Sequence, residues 1–148
     1  MRSVEQIARE IVAREGGFVD DPDDPGGATQ HGVTLGTLRR LGLDLDRDGK
    51  IDSGDVRRVT PARAAEIFVQ HYFTRPRLRA LPPPLQPPVF DMYVNAGAQA
   101  VRLVQQLLGE MGEPVAVDGI IGPQTIAAAK RAAQAAPAFR AAPWALVF

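Results

Sequence analysis

The first seventeen residues carry one apolar stripe at helical spacing, and such a stripe needs a core to pack against. Its members recur at i, i+3, i+4, i+7 and i+8; they are Val4, Ile7, Ala8, Ile11 and Val12. Ser3 and Gln6 have the spacing of a capping box at the start of this helix. Gly16 and Gly17 are expected to end it in the left-handed conformation. The chain therefore begins with an amphipathic helix.

Proline and glycine divide the rest of the chain into further helices and one turn-rich segment. Residues 18–33 are rich in Asp, Pro and Gly, which favours a loop with a short hairpin. Six prolines between residues 75 and 88 indicate a surface crossing. Helices are predicted over 35–41, 61–72, 89–108 with a break at Gly97, and 123–136. The helix over 61–72 is expected to bury Ala65, Phe68, Val69 and Tyr72. The pattern predicts a mainly α fold with a small turn-rich or β lobe.

Composition excludes several kinds of site. The 148 residues include no Cys, so a disulfide, a thiolate zinc site and a cysteine nucleophile are all excluded. The formal net charge is zero, and the arginines between residues 57 and 79 belong to no recognised nucleic-acid-binding motif. No apolar run approaches the ~20 residues of a membrane span. We therefore predict no nucleic-acid partner and no membrane span.

Glu15 falls in the last turn of the first helix, where the helix macrodipole disfavours a carboxylate. One interpretation is a general acid, held ready to donate a proton by apolar neighbours such as Phe18. The other is a solvated glutamate that tolerates its position. Four aspartates follow within ten residues: Asp20, Asp21, Asp23 and Asp24. An acid beside an ionised carboxylate is the pairing that glycoside hydrolysis uses, although Asp before Pro or Gly also stabilises turns.

Residues 44–55, DLDRDGKIDSGD, match the pattern of a helix-bounded calcium loop. The predicted ligand positions are Asp44, Asp46, Asp48, Lys50 through its carbonyl, Asp52 and Asp55. Gly49 falls at the sharp turn, and Asp55 stands where a longer Glu would bind both oxygens to the ion. The alternative is a solvated acidic turn, in which five carboxylates would repel one another. We expect a structural Ca²⁺ here.

The string EGGFVDDPDDPGGATQHGVT at 15–34 resembles the signature of glycoside hydrolase family 108, a family of bacterial and phage lysozymes. FDMYVNAG at 90–97 and VRLVQQLLG at 101–109 extend the resemblance. VDGIIGPQT at 117–125 resembles the predicted peptidoglycan domain that follows the catalytic part in this family. The resemblance implies a lysozyme-like helical fold that cleaves peptidoglycan between N-acetylmuramic acid and N-acetylglucosamine.

The resemblance also implies roles for individual residues. Glu15 matches the catalytic glutamate that protonates the leaving oxygen. Asp24 and Thr29 match the Asp and Thr of phage-type lysozymes, which position a water and stabilise the oxocarbenium-like state. Asp24 follows Glu15 at the expected nine residues, Thr29 comes one residue early, and Asp21 is a rival to Asp24.

Four further residues are implied as substrate-binding. Gly26 and Gly27 allow the backbone to approach a sugar, or form the turn that presents Thr29. Asp91 and Asn95 stand at i and i+4 within FDMYVNAG. They either line the cleft or make structural hydrogen bonds.

The resemblance divides the chain near residue 95. Residues 1–95 form the expected catalytic part with the calcium loop as an insertion, and residues 96–148 form an apparently truncated peptidoglycan-binding part packed into the same globule. The apolar end of the chain, from Trp144, is expected to dock on the core.

The first twenty residues lack the apolar region of a signal peptide, so we expect synthesis in the cytoplasm, export by a holin or secretion system, and action in the periplasm or at the wall. Two alternatives remain, a non-catalytic wall-binding module and a chitosanase or chitinase.

Overall fold

A computed structural model describes residues 2–20, 22–23 and 27–135 of the chain. Within these residues the fold is mainly α with one small sheet, as predicted. The helices are α1 Val4–Arg14, α2 Leu35–Leu41, α3 Ser53–Arg57, α4 Pro61–Val69, α5 Gln86–Ala96, α6 Ala98–Glu110 and α7 Pro123–Ala135. The strands are β1 Thr29–Gln30 and β2 Val33–Thr34. Asp21, Asp24, Gly26 and the apolar tail from Trp144 lie outside the described residues.

The chain forms two compact units, residues 1–71 and 72–148. In the first unit α1 packs against α4. The predicted capping box of Ser3 and Gln6 begins α1, and all five residues of the predicted stripe are buried. Burial of a large aliphatic side chain stabilises a fold by about 1.5–3 kcal/mol, so this helix pair holds the first unit together. None of the described helices has the length and apolar character needed to cross a membrane.

The buried face of α4 differs from the prediction. Ala64, Ile67 and Phe68 are buried, whereas the predicted Ala65, Val69 and Tyr72 are only half-buried. Both sets have helical spacing and share Phe68, so periodicity alone does not decide between them. After Val69 the chain continues as a π-helical turn, Gln70–Thr74, whose wider winding changes which residues point inward.

The turn-rich segment contains the predicted hairpin. Strands β1 and β2 are antiparallel, with Thr29 opposite Thr34 and Gln30 opposite Val33. Residues 31–32 form the two-residue turn between them, with φ angles of 52° and 82°. Two consecutive positive φ values are the geometry that suits the twist of a tight hairpin.

In the second unit α5 and α6 pack together, and they are separated at Gly97, as predicted. Gly97 adopts φ 57° and ψ −136°, a conformation open to glycine alone. Helix α5 begins at Gln86, three residues before the predicted start. Pro87 and Pro88 lie in its first turn, where a backbone N–H has no partner within the helix and proline is therefore tolerated.

A buried glutamine on α6 holds the loop before α7. Gln105 is 1% exposed, and its amide nitrogen lies 2.9 Å from Asp118 Oδ1 and 3.1 Å from both the Ile120 carbonyl and Thr125 Oγ1. Its amide oxygen accepts from the Gly119 N–H at 3.0 Å. Two hydrogen bonds to its carboxylate, the larger effect coming from Gln105 and the smaller from the N–H of Ile120, hold the pKa of Asp118 below its usual value. One side chain therefore organises most of the VDGIIGPQT loop.

Replacing Gln105 with Leu is expected to lower the free energy of unfolding by about 2–3 kcal/mol, because the buried Thr125 hydroxyl and the part-buried hydrogen bonds to Asp118, Gly119 and Ile120 lose their partner while the volume is kept. Urea denaturation measures this loss. Gln106→Leu is the matched control, since Gln106 is the exposed neighbour on the same helix and should change stability by less than about 0.5 kcal/mol. Equal midpoints for the two variants would show that the network contributes little.

Candidate active site

Glu15 is the residue at which α1 ends. Its backbone is extended, with φ −80° and ψ 147°, and its N–H donates to the carbonyl of Ile11 at 3.2 Å. Gly16 and Gly17 do not have positive φ, so the predicted left-handed stop is wrong. The extended turn at Glu15 itself ends the helix.

The surroundings of Glu15 differ from those expected. Its side chain is exposed, so the apolar covering expected from Phe18 is not what the structure shows. The Phe18 ring instead lies under the guanidinium of Arg57, 4.1 Å from the ring centroid, in a cation–π contact. Since Arg57 is the last residue of α3, this contact joins the segment after Glu15 to the helix at the end of the acidic loop, residues 44–55.

Glu15 lines a cleft of about 490 Å³ within the first unit. Small-molecule sites commonly have volumes of about 300–1,000 Å³, so the cleft has room for part of a glycan. Its walls come from α1, the hairpin turn and the start of α4; the lining residues are Arg9, Val12, Ala13, Glu15, His31, Pro61 and Ala62.

The hairpin turn packs against Glu15. The His31 N–H donates to the carbonyl of Gly16 at 3.0 Å. A Cβ on Gly32 would lie 2.8 Å from Glu15 Cγ and 2.9 Å from Phe68 Cζ, so only glycine allows this approach. His31 and Gly32 are not among the predicted site residues. A residue that tolerates positive φ followed by Gly, between two short β segments, is the signal that marks such a turn.

Replacing Gly32 with Ala should displace the hairpin turn from Glu15. The positive φ of 82° and the close aromatic contact are expected to cost roughly 1–3 kcal/mol of stability. Activity measured well below the melting temperature should also fall, because the Glu15 side chain must move. Gly36→Ala is the control: Gly36 is in α2, where the new Cβ would meet only Thr34 Oγ1 at 3.7 Å. Full activity in both variants would contradict the expected displacement.

The implied catalytic partners lie on the segment that leads into the hairpin. Thr29 is half-buried and exchanges two backbone hydrogen bonds with Val19, both of 2.8 Å. Gly27 has a φ of 73°, a left-handed conformation that glycine adopts without strain. Asp24 and Gly26 lie outside the described residues.

The second predicted pair of substrate-binding residues belongs to the second unit. Asp91 and Asn95 lie on α5, and the Asn95 amide donates to the Asp91 carbonyl at 3.4 Å. This contact is local to the helix. Their role in substrate binding stays a prediction.

The acidic loop brings four of its carboxylates together. One oxygen from each of Asp44, Asp46, Asp48 and Asp55 lies within 4.8 Å of the others. Lys50 donates its N–H to Asp48 Oδ1 at 2.9 Å. The remaining predicted ligand, Asp52, caps α3 by accepting from the Gly54 N–H at 3.0 Å.

The four carboxylates do not share one environment. Asp55 is fully buried, and backbone N–H groups of Asp52, Asp46 and Leu45 lower its pKa to about 2. Burial raises the pKa of Asp46 to about 6, and the neighbouring carboxylates of Asp44 and Asp48 add to the rise. Asp44 Oδ1 is buried without a hydrogen-bond donor among the described residues, while its Oδ2 accepts from the Gly49 N–H at 2.8 Å. The loop therefore concentrates negative charge that its own donors satisfy only in part.

Comparisons with known proteins match the chain along most of its length. Residues 8–97 match the family model described as Glycosyl hydrolase 108, and residues 99–143 match the one described as Predicted Peptidoglycan domain. The solved structure of SagA from Brucella abortus is similar, with 32% sequence identity and a TM-score of 0.63 over 86% of this chain and 68% of SagA. A search of curated proteins found no match. The chain belongs to the glycosyl hydrolase 108 family, as a glycoside hydrolase that acts on peptidoglycan.

Proposed function

We propose that the chain is an N-acetylmuramidase that cleaves the β-1,4 bond between N-acetylmuramic acid and N-acetylglucosamine, with Glu15 as general acid. The observation that carries the proposal is the position of Glu15. It stands at the end of a well-packed helix, exposed to a cleft of about 490 Å³, with Gly32 closely packed against its side chain. A general acid needs both a fixed position and access to the glycosidic oxygen.

In this mechanism the Glu15 carboxyl donates its proton to the glycosidic oxygen as the bond to the anomeric carbon breaks. The leaving sugar departs as an alcohol, and the anomeric carbon takes the hydroxyl of a water. The proton of that water restores the acid. Asp24 is the proposed second carboxylate, which stabilises the oxocarbenium-like state or activates the water, and Thr29 helps to position that water.

The products of wall digestion test the proposed bond. Purified peptidoglycan is digested, the new reducing ends are reduced with borohydride, and the reduced sugars are identified by mass spectrometry. A muramidase yields reduced N-acetylmuramic acid. Reduced N-acetylglucosamine, or an anhydro product without a reducing end, would overturn the assignment of the bond. Binding without cleavage would indicate a wall-binding module, and turnover of chitosan or chitin alone would indicate the other glycosidase.

We infer that the acidic loop binds one Ca²⁺, which would be held by Asp44, Asp46, Asp48, the Lys50 carbonyl and Asp55, with Asp52, which caps α3, as the remaining predicted ligand. The donor set is oxygen only, as Ca²⁺ requires. Three observations support the site: the loop sequence, the convergence of four carboxylates within 4.8 Å, and the buried Asp44 Oδ1 that lacks a donor. A bound cation would supply the missing positive charge.

Isothermal titration of the metal-free protein with CaCl₂ tests this site. One binding event per chain is expected, and Asp48→Ala should weaken it strongly because that variant loses a ligand. The absence of binding heat, together with an unchanged melting temperature, would exclude the site.

A further inference from the structure

The cleft beside Glu15 contains a guanidinium that the proposed chemistry does not use. Arg9 lines the cleft together with Glu15 and His31, and its side chain is exposed. Glu5 lies four residues earlier on α1, at a spacing suited to an ion pair. The ion pairs within the described part of the chain nevertheless involve other arginines: Arg2 with Glu10, Arg63 with Glu66 and Arg131 with Glu113. Arg9 is therefore available to an anion that enters the cleft.

The distance between Arg9 and Glu15 along α1 determines which part of a substrate an anion bound at Arg9 could belong to. The two residues are six positions apart, which corresponds to about 9 Å along a helix axis. A group bound at Arg9 therefore lies beside the cleaved bond rather than on it. The apolar side chains of Val12 and Ala13 line the cleft with them, and Arg9 supplies the positive charge among the lining side chains of α1.

We propose that Arg9 is a specificity-determining residue that binds a carboxylate of the substituent on N-acetylmuramic acid. This inference rests on the proposed muramidase function. N-Acetylmuramic acid differs from N-acetylglucosamine by a lactyl ether, whose carboxyl is either free or begins an acidic peptide. Chitin and chitosan have no such carboxylate. A guanidinium presents paired N–H donors that match a carboxylate, so Arg9 favours peptidoglycan over a neutral glycan.

The test compares Arg9→Gln with the parent on two substrates at low ionic strength. One is native peptidoglycan, and the other is the same material with its carboxylates converted to neutral amides by carbodiimide coupling. On native material Arg9→Gln is expected to lower kcat/KM by about tenfold, mainly through KM, as for loss of a hydrogen bond to a charged group. On amidated material the parent and the variant should have equal kcat/KM values.

Two further variants distinguish a direct contact between Arg9 and the carboxylate from a general effect of positive charge on α1. Arg14→Gln removes a positive charge from the same helix, nearer to Glu15 and outside the cleft lining, so it should stay within about twofold of the parent on both substrates. Arg9→Lys keeps the charge but loses the paired donors, and its loss should be smaller than that of Arg9→Gln. Melting temperatures of all variants identify any that misfold.

The inference is overturned if Arg9→Gln matches the parent on native peptidoglycan, or if it loses the same factor on native and amidated material. It is also overturned if Arg14→Gln reproduces the loss. Failure of the muramidase proposal has a different signature. In that case the wrong bond is cut, or Glu15→Gln keeps its activity, whatever the Arg9 variants do.

Discussion

Glu15→Gln is expected to reduce kcat for peptidoglycan cleavage by about 100–10,000-fold, the usual contribution of a positioned general acid. The amide has nearly the same size and shape as the carboxyl, but it has no proton to give to the leaving oxygen. Glu15 is exposed and follows the last turn of α1, where removal of a negative charge changes stability by only a few tenths of a kcal/mol. The loss should therefore appear in turnover and leave the melting temperature almost unchanged.

Glu10→Gln is the matched control for Glu15→Gln. Glu10 is likewise an exposed glutamate and lies on α1, but it pairs with Arg2 and does not line the cleft. Its replacement should leave kcat unchanged. Turbidity loss of purified peptidoglycan measures both variants at equal protein concentration. A Glu15→Gln rate within about tenfold of the parent would exclude general acid catalysis by this residue.

Local patterns predicted the elements whose signals lie close together in the sequence. The Ser3 capping box, the apolar stripe of α1 and the break at Gly97 each depend on a few adjacent residues, and each is confirmed. The predicted start of α5 is three residues too late, because Pro87 and Pro88 do not break the helix at this position. In the first helical turn their missing N–H costs nothing.

Features that depend on tertiary contacts were less predictable. The inward face of α4 has two solutions that share Phe68, and packing against α1 selects one of them. The cleft wall at His31 forms only when the hairpin folds back onto the end of α1. Spacing placed Asp52 among the metal ligands, whereas its carboxylate also caps α3, a second use that the loop pattern does not reveal.

Calcium is expected to raise the melting temperature by roughly 5–10 °C at a concentration about 100 times its dissociation constant, since such an excess stabilises the folded state by about 2.7 kcal/mol. The reason is that the folded loop gathers four carboxylates that the unfolded chain lets separate. Differential scanning fluorimetry with CaCl₂ and with a chelator measures the shift. Magnesium at the same concentration should have a smaller effect, because it keeps its waters and demands octahedral geometry.

Asp44→Asn is expected to have opposite effects in the two conditions. The substitution removes one negative charge from the cluster, so the chelator-treated variant should melt at the same temperature as the parent or above it. In saturating calcium it should melt below the parent, because the ion loses a charged ligand. Asp20→Asn is the control: Asp20 is exposed and outside the cluster, so its replacement should leave the calcium shift intact.

The direction in which Asp44→Asn changes the melting temperature, with chelator and with calcium, distinguishes a metal site from a solvated acidic turn. In a solvated turn Asp44→Asn relieves repulsion with or without calcium, and both curves move in the same direction. In a metal site the buried Asp44 Oδ1, which lacks a donor within the described residues, is satisfied only when the ion is bound. Loss of that interaction then outweighs the relief of repulsion whenever calcium is present. An Asp44→Asn variant that melts above the parent in both conditions would show that the loop is a solvated acidic turn and not a calcium site.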